Sequence, residues 1–358
     1  MTQMAEFLVK KDDFRDCRVA EGDPPAPGPG QALLRVDTFG MTSNNVTYAV
    51  FGDAMGYWRF FPSHDEWGRV PVWGFADVAR SRHDGVPAGE RVWGYFPMST
   101  HLVVDADKVS ARSFVDAVPH RRPLPPVYNQ YVRVAADPGY DRKREAQEML
   151  FRPLFTTAFL LDDFLAERDL FGAKTVLLAS ASSKTALGLA FLLKQHRRAR
   201  VVGLTSTGHA AFVERTGCYD QVVSYADVPT LPAGDPVVLV DMAGSGNVLR
   251  AVHGHFADRL KYSCLVGATH WEAPRNADAL LGPAPEFFFA PDRVVVRMKD
   301  WGPEGFQSRV DESRKPFLAA AERWLRVVTG SGAADVEQAY RETLEGRTKP
   351  DEGLILTL

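Results

Sequence analysis

Two kinds of hydrophobic pattern divide the chain. Up to about residue 110, short stretches such as "GQALLRVDTFGM" and "AGERVWGYF" alternate between apolar and polar positions, and Pro and Gly separate them. Alternation with a period of two is typical of strands that bury one face. This first part of the chain is therefore predicted to be rich in β-structure.

From Phe151 the apolar residues recur at helical spacing, first in "FTTAFLLDDFLAERDLFG". Continuous apolar runs, among them "TVLLAS", "RVVGLTS" and "PVVLVDMAG", then alternate with helical segments. This alternation predicts a parallel sheet with crossover helices. After it, the pattern predicts a long helix over "KPFLAAAERWLRVVTG", a second helix and a closing strand, "GLILTL".

Length, charge and cysteine content exclude several classes of function. The 358 residues are enough for two domains, and the net charge of -3 gives no reason to expect a nucleic-acid partner. The N-terminal segment "MTQMAEFLVKKDDFRD" carries charges where a signal peptide needs an apolar core, and no apolar run is long enough to span a membrane. We therefore expect a cytoplasmic protein without membrane association. The three cysteines have no zinc-binding spacing.

The stretch "VLLASASSKTALGLAFLLKQ" joins a predicted strand to a predicted helix through small residues, as a nucleotide-binding βαβ unit does. Ser180, Ser183 and Ala186 recur at intervals of three, like the glycines of G-x-x-G-x-x-G, and Lys184 places a charge beside them. The glycines of a Walker motif are missing. Taken alone, the loop fits a capped helix after a buried strand equally well.

The order of motifs along the chain resembles the medium-chain dehydrogenase/reductase superfamily, in particular its zinc-independent quinone oxidoreductases and enoyl reductases. "VPAGERVWGYF" resembles the G-D-R-V turn of this family, "PLFTTAFLLDDFL" its L-T-A-Y helix start, and "LEGRTKPDEGLILTL" its closing strand. The altered phosphate loop indicates a divergent subgroup. The resemblance implies an α/β fold with a Rossmann dinucleotide-binding domain over residues 151–302. It also implies a GroES-like, β-rich catalytic domain over residues 1–150 and 303–358.

The resemblance also directs attention to the chemistry of the first domain. The chain reads Gly-Phe-Ala at residues 74–76, where zinc-dependent members read G-H-E, so no metal is expected. Without a metal, a hydrogen-bond donor has to polarise the substrate, and the hydride has to come from a reduced nicotinamide. Asn45 and Tyr48 lie on the loop that enters the family's active site. Tyr48 is the first choice for the donor and Tyr57 the alternative, although either tyrosine could simply pack.

The end of the second Rossmann strand, "GLTSTGH", contains hydroxyl groups and a histidine but no acid. An acid there would select NAD, whereas Ser206, Thr207 and His209 suit a 2′-phosphate, so NADPH is expected over NADH. Ser206 and Thr207 also fit a helix cap. In the resembling family a tyrosine like Tyr225 approaches this phosphate, and a threonine like Thr157 lines the nicotinamide. Thr157 also fits the N-cap of a helix. Further cofactor contacts are expected at later strand ends, at Ala243, Gly244, Gly267, Ala268 and Thr269.

Together these features predict a zinc-independent, NADPH-dependent reductase of an enoyl, enone, quinone or other small carbonyl substrate. Two alternatives stay open. The protein could be a non-catalytic NADPH binder or scaffold on a dehydrogenase-like fold, or its loop could no longer accept a dinucleotide. The run "EFFFAP" is typical of a buried strand, but in the resembling family this segment can lie at a subunit interface, so a homodimer also stays open.

Overall fold

The computed structural model describes residues 3–64, 66–267 and 280–358. The chain forms two compact units. The first consists of Met1–Leu150, Val327–Thr348 and Glu352–Leu358, and the second of Phe151–Arg326 and Lys349–Asp351. Residues 303–326 thus lie in the second unit. The predicted α/β class, with one parallel and one antiparallel barrel-like sheet, is confirmed, whereas the roles predicted for the two domains stay predictions.

The first unit is built mainly from antiparallel strands. Its strands are β1 (Met4–Lys10), β2 (Cys17–Gly22), β3 (Gln31–Met41), β4 (Trp67–Gly68), β5 (Pro71–Ser81), β6 (Arg91–Pro97), β7 (His101–Asp107), β8 (Ser113–Asp116) and β9 (Gln130–Arg133), and later in the chain β16 (Arg326–Ser331) and β17 (Glu352–Thr357). Its helices are α1 (Ser43–Val50), α7 (Ala333–Leu344) and short 3-10 turns at Tyr57–Arg59, Pro126–Tyr128, Val134–Ala136 and Arg142–Arg144.

The large sheet of the first unit closes on itself. Its strand order is β16-β17-β3-β5-β6-β9-β8-β7, and β7 pairs again with β3. Six strands, from β3 round to β7, therefore form a barrel without free edges. A separate three-stranded sheet has the order β2-β1-β4. The pattern of short apolar stretches separated by Pro and Gly predicted the β-structure of this part correctly.

The second unit alternates strands and helices. Its strands are β10 (Thr175–Ala179), β11 (Arg200–Thr205), β12 (Gln221–Ser224), β13 (Val237–Asp241), β14 (Leu260–Leu265) and β15 (Glu286–Phe287). Its helices are α3 (Lys184–Gln195), α4 (Thr207–Thr216), α5 (Gly246–Phe256) and α6 (Ala290–Ala321), with 3-10 turns at Asp169–Gly172, Tyr225–Thr230 and Ala257–Arg259. Helix α2 (Glu145–Glu167) contains the boundary at which the second unit begins.

All six strands of the second unit are parallel, in the order β12-β11-β10-β13-β14-β15. Renumbered from the first strand of the sheet, this is 3-2-1-4-5-6, the order of a dinucleotide-binding fold. Ala179 pairs with both Leu204 and Asp241, so β11, β10 and β13 end in nearly one row. The continuous apolar runs arise because the strands are covered on both faces.

Two predicted features differ from the structure. Helix α6 ends at Ala321, and "RVVTGS" is strand β16, since β-branched residues favour an extended backbone and β17 supplies a pairing partner. Helix α6 also contains a kink, because Gly302 has φ +71° and Pro303 follows it. Of "EFFFAP", only Glu286–Phe287 is a strand, and both residues are exposed rather than buried.

Candidate functional site

The point at which the strand order reverses lies between β10 and β13. From β10 the sheet continues in one direction to β11 and β12, and from β13 in the other direction to β14 and β15. In open parallel sheets, ligands bind beyond the carboxyl ends of the strands at this point. The segments that follow β10, β11, β12 and β13 are therefore the candidate site of the second unit.

The loop after β10 is a tight turn. Ser180 has φ +55°, the left-handed region in which glycine is usual, and the Ser183 N–H donates to the Ser180 carbonyl at 2.8 Å. The Ala181 N–H donates to the carbonyl of Leu204 at 3.0 Å. A Cβ at Gly203 would lie 2.9 Å from that of Ala181, so glycine in β11 allows this close approach.

Helix α3 begins immediately after this turn. Ser183 is its N-cap, and its Oγ accepts the N–H of Ala186 at 3.3 Å. The N–H groups of Lys184 and Thr185, in the first turn, point out of the helix start, which carries its positive dipole end. Ala186 is fully buried, so it serves the packing of the helix start instead of presenting a donor. Of the three small residues predicted, Ser180 and Ser183 line the turn itself.

Tyr225 reaches this turn from the edge of the sheet. It follows β12, and its hydroxyl accepts the Ser180 N–H at 3.1 Å. Burial raises the pKa of the Tyr225 hydroxyl, so this group stays protonated at neutral pH. The sequence predicted Tyr225 beside the 2′-phosphate, with Ser206 and Thr207. In the structure its hydroxyl contacts the turn after β10, and its role towards the 2′-phosphate stays a prediction.

Ser206 and Thr207 begin helix α4 at the end of β11. Ser206 is the N-cap but makes no side-chain capping bond, and both residues are exposed. No carboxylate occurs between Thr205 and His209. The imidazole Nδ1 of His209 lies 3.0 Å from the Oγ of Ser182, and this contact joins the start of α4 to the turn after β10.

The remaining cofactor candidates are distributed over several elements. Ala243 is buried after β13, and its N–H donates to Asp241 at 2.9 Å; Gly244 next to it has φ +73°. Gly267 is half-buried after β14, whereas Ala268 and Thr269 lie outside the described residues. Thr157 is not an N-cap, because α2 already begins at Glu145; its hydroxyl donates to the carbonyl of Pro153 at 3.3 Å.

In the first unit, Tyr48 and Tyr57 belong to a buried aromatic cluster, completed by Tyr95, Tyr128, Trp73 and Phe60. The rings of Tyr48 and Tyr57 lie 4.7 Å apart between centroids, and so do those of Tyr95 and Tyr128. The Trp73 Nε1–H donates to the Tyr48 hydroxyl at 3.1 Å, and the hydroxyls of Tyr57 and Tyr128 lie 3.4 Å apart. The structure thus brings the two predicted tyrosines together.

Burial controls the protonation of this cluster. It raises the pKa of Tyr48, Tyr57, Tyr95 and Tyr128, and neighbouring phenols add to the rise for Tyr48, Tyr95 and Tyr128. All four hydroxyls are therefore neutral hydrogen-bond donors at physiological pH. Tyr48 is only 5% exposed. The Tyr95 hydroxyl is buried and has no hydrogen-bond partner of normal geometry among the described residues.

Asn45 holds the backbone near Tyr48 instead of presenting a free amide. Its Oδ1 accepts the N–H of Thr42 at 2.8 Å, as part of a capping box at the start of α1. Its Nδ2 donates to the Pro71 carbonyl at 2.8 Å. Because both ends of the amide are in use, Asn45 fits a positioning role for the helix that carries Tyr48.

Arg121 supports the cluster from the segment between β8 and β9. It is 1% exposed, and it donates to Asp116 Oδ2 and Asn129 Oδ1, each at 2.9 Å, and to the Tyr131 hydroxyl at 3.0 Å. It also donates to the carbonyl of Tyr128. The buried ion pair with Asp116 thus holds Arg121 in place, and Arg121 in turn holds the backbone of Tyr128 in the cluster.

The sequence analysis missed Ser182, Tyr95, Tyr128 and Arg121. Ser182 falls between the positions that the G-x-x-G-x-x-G spacing selects. Tyr95 lies in an ordinary strand, and Tyr128 and Arg121 lie in a Pro-rich segment without a regular hydrophobic pattern. The many aromatic residues around Tyr95 and Tyr128 were the one feature that could have indicated a site, and such residues are equally typical of a hydrophobic core.

The comparisons with known proteins bear on this geometry. A family described as "Protein of unknown function (DUF2855)" matches residues 39–349. The chain belongs to this family. Among curated proteins, none matches the sequence significantly.

Solved structures resemble this DUF2855 protein over nearly its whole length. CurA from Vibrio vulnificus in complex with NADPH has a TM-score of 0.62 at 13% identity and covers 98% of each chain. A putative NADPH:quinone reductase from Mesorhizobium loti has a TM-score of 0.62 at 13% identity and covers 99% of each chain. The yhdH oxidoreductase from Salmonella enterica in complex with NADP has a TM-score of 0.57 at 11% identity and covers 99% of each chain.

For the DUF2855 protein these likenesses establish the fold. They confirm, as a likeness of fold, the predicted resemblance to quinone and enoyl reductases. Within residues 3–64, 66–267 and 280–358, no three His, Cys, Asp or Glu side chains are grouped as metal ligands. In the same part of the chain, none of the helices combines the length and hydrophobicity of a membrane span.

Proposed function

We propose that this protein is a zinc-independent, NADPH-dependent reductase that transfers a hydride to an enoyl, enone, quinone or other carbonyl substrate. The observation that carries the proposal is the small-residue turn after β10, at the point where the strand order reverses. Support for the cofactor comes from the CurA complex with NADPH and the yhdH complex with NADP, which share the fold. Support for the substrate class comes from the putative NADPH:quinone reductase.

The residues at the strand ends fit this cofactor. The turn from Ser180 to Ser183 consists only of serine and alanine, so its own side chains are small. The first-turn N–H groups and Lys184 would hold the pyrophosphate. The exposed Ser206 and Thr207 would hold the 2′-phosphate, since no carboxylate occurs between Thr205 and His209. Further contacts are proposed at Thr157, Ala243, Gly244, Gly267, Ala268 and Thr269.

Bound there, NADPH would supply a hydride. The part of this chain would be to polarise the substrate oxygen, and Tyr48 is the proposed donor. Burial keeps its phenol protonated, and the bond from Trp73 Nε1 leaves the Tyr48 proton to be donated elsewhere. Tyr57 is the alternative donor, and Asn45 would position the helix. A preorganised donor of this kind contributes about a hundredfold or more to the rate.

Two measurements test the proposal in order. Quenching of tryptophan fluorescence on addition of NADPH reports binding, and oxidation of NADPH in the presence of an enone and quinone panel reports turnover. Tyr48→Phe should lower kcat at least tenfold while leaving the affinity for NADPH unchanged. The matched control is Tyr140→Phe, whose hydroxyl bonds to Glu145 outside the aromatic cluster. Equal kcat values for the two variants would remove Tyr48 from the mechanism.

A second candidate function is a non-catalytic NADPH binder or scaffold. The packing of the aromatic cluster favours it, because Tyr48 and Tyr57 are 5% and 6% exposed and their hydroxyls have partners. NADPH binding without turnover of any substrate in the panel would support this function. The third alternative is that the loop no longer accepts a dinucleotide. The Tyr225 hydroxyl favours this alternative, because it already occupies the Ser180 N–H, and an absence of NADPH binding would support it. A homodimer and a cytoplasmic location remain predictions.

A further inference from the structure

Ser182 and His209 connect two parts of the candidate cofactor site. Ser182 lies in the turn after β10, and His209 lies in the first turn of α4, after β11. Their side chains meet at 3.0 Å between Oγ and Nδ1, although the residues are 27 positions apart in the chain. Because β10 and β11 are adjacent and end in the same row, the fold brings these two short polar side chains together.

The surroundings of the pair suit an anion. His209 is half-buried, while Ser206, Thr207 and Gly208 immediately before it are exposed. A Cβ built on Gly208 would meet no atom within 4 Å, so the space beside the start of α4 is open. In this first turn the His209 N–H donates to the Ser206 carbonyl at 3.0 Å, whereas the N–H groups of Thr207 and Gly208 have no acceptor within the helix. A group that approached them would therefore also come within reach of the His209 imidazole.

The charged groups on α3 and α4 do not shift the pKa of the His209 imidazole. The charged residues of the two helices are Lys184 and Lys194, at the start and in the last turn of α3, and Glu214 and Arg215, in the last turn of α4. Burial is the sole cause that lowers the pKa of His209, so none of these charges contributes to its shift. In the free protein at neutral pH, His209 is therefore mostly uncharged.

We propose that Ser182 and His209 select NADPH over NADH by taking up a proton when the 2′-phosphate binds. The inference rests on the proposed function and deepens it, since it assigns the residues that recognise this phosphate. A dianionic phosphate stabilises the imidazolium form of a nearby histidine, and three phosphate oxygens can accept hydrogen bonds. NADH has a hydroxyl group at this position and offers neither effect.

The number of hydrogen-bond donors on Ser182 and His209 explains why one added proton strengthens phosphate binding. An imidazolium donates from both nitrogens, whereas a neutral imidazole donates from one. Once protonated, Nδ1 donates to Ser182 Oγ, and the hydroxyl proton of Ser182 is then directed to a different acceptor. The Nε2–H of His209 becomes a second donor. Whichever nitrogen carries the hydrogen in the neutral form, the pair already has one free donor. Protonation adds the second donor and a positive charge at the same time.

The sign of the pH dependence follows from the lowered pKa in the free protein. Binding raises the pKa of His209, so NADPH binding is favoured most where the proton is already present. Affinity for NADPH falls as the pH rises from the pKa of the free form towards that of the bound form. The 2′-phosphate itself titrates near pH 6, so the comparison is made at about pH 7.5, where it is mostly dianionic. Affinity for NADH should not follow this trend.

The test is isothermal titration of the full chain with NADPH and with NADH at about pH 7.5, in two buffers that differ in ionisation enthalpy. The wild type should take up a substantial fraction of one proton per NADPH and none per NADH. His209→Gln keeps a polar side chain but cannot be charged. It should abolish the uptake and lower the NADPH/NADH affinity ratio about tenfold, or about 1.4 kcal/mol. Ser182→Ala should lower the ratio less, because the imidazole remains.

The matched control is His64→Gln, which removes an exposed histidine of the first unit. It should leave both the proton count and the affinity ratio unchanged. NADPH binding with no proton uptake, or an unchanged ratio in His209→Gln, would overturn this inference and leave the proposed function intact. A failure of both dinucleotides to bind the wild type would instead overturn the proposed function. Circular dichroism of His209→Gln separates a lost contact from a lost fold.

Discussion

Replacing Arg121 by methionine should strongly destabilise the first unit. Methionine has a long, flexible side chain that fills part of the space, but it cannot donate to Asp116, Asn129 or the Tyr128 carbonyl. Asp116 is also 1% exposed, so the variant leaves a carboxylate buried without its cation. Removing one partner of a buried ion pair costs about 3–5 kcal/mol.

The structure places the expected loss at the lower end of this range. The other carboxylate oxygen of Asp116, Oδ1, accepts the N–H groups of Asp105 at 2.9 Å and Val118 at 3.1 Å, and these bonds persist in the variant. The Tyr131 hydroxyl keeps its bond to the carbonyl of Tyr95 at 2.9 Å. We therefore expect Arg121→Met to lower the free energy of unfolding of the first unit by about 3 kcal/mol.

The assay is urea denaturation, with hydrogen exchange of peptides from β8 and β9 as the probe for the first unit. Arg122→Met is the matched control, because Arg122 is exposed and makes one bond, at 2.7 Å, to the Ala117 carbonyl. Adding Asp116→Asn to Arg121→Met should cost less than the sum of the two single changes, since no charge is then buried. If Arg121→Met and Arg122→Met cost the same within about 0.5 kcal/mol, the buried pair does not stabilise the unit.

Three further predictions concern the proposed cofactor site. Ser183→Glu places a negative charge and bulk at the start of α3 and should lower NADPH affinity at least tenfold, about 1.4 kcal/mol, in fluorescence titrations. Lys184→Ala should lower the affinity less, because the backbone donors remain. If Ser183→Glu binds NADPH as well as the wild type, the loop is only a structural turn. Thr207→Asp should reverse the order of NADPH and NADH by repelling the 2′-phosphate, and equal wild-type affinities would refute that reasoning. Elemental analysis should find no stoichiometric zinc, and one tightly held zinc per chain would overturn the zinc-free assignment.

Local patterns were sufficient for the sheet of the second unit. Its strands are nearly continuous apolar runs, as in β10 and β13, and the periodicity changes sharply where α3 begins at Lys184. Such signals arise within one element and depend on which faces are buried, so they are readable without knowledge of the partners. The small residues at Ser180 and Ser183 were readable for the same reason, because a strand, a turn and a helix cap follow directly in sequence.

Element boundaries that depend on tertiary partners were not readable. The segment after Ala321 has the composition of a helix as well as of a strand, and pairing with β17 decided for the strand. Thr157 resembles an N-cap locally, yet α2 continues through Pro153 from Glu145. In both places packing overrides the intrinsic preference of the segment.

The side-chain contacts that make up the two candidate sites were decided by the tertiary structure alone. Tyr225 meets Ser180, and Ser182 meets His209, because parallel pairing aligns the ends of strands that are far apart in the chain. The buried tyrosines of the first unit come from α1, from β6 and from two separate turns, and no periodicity relates these segments. The sequence by itself determined which residues could line a strand end or fill a core. Which of them touch was decided by the register of the sheets and the closure of the barrel, since contacts between distant segments depend on the global path of the chain.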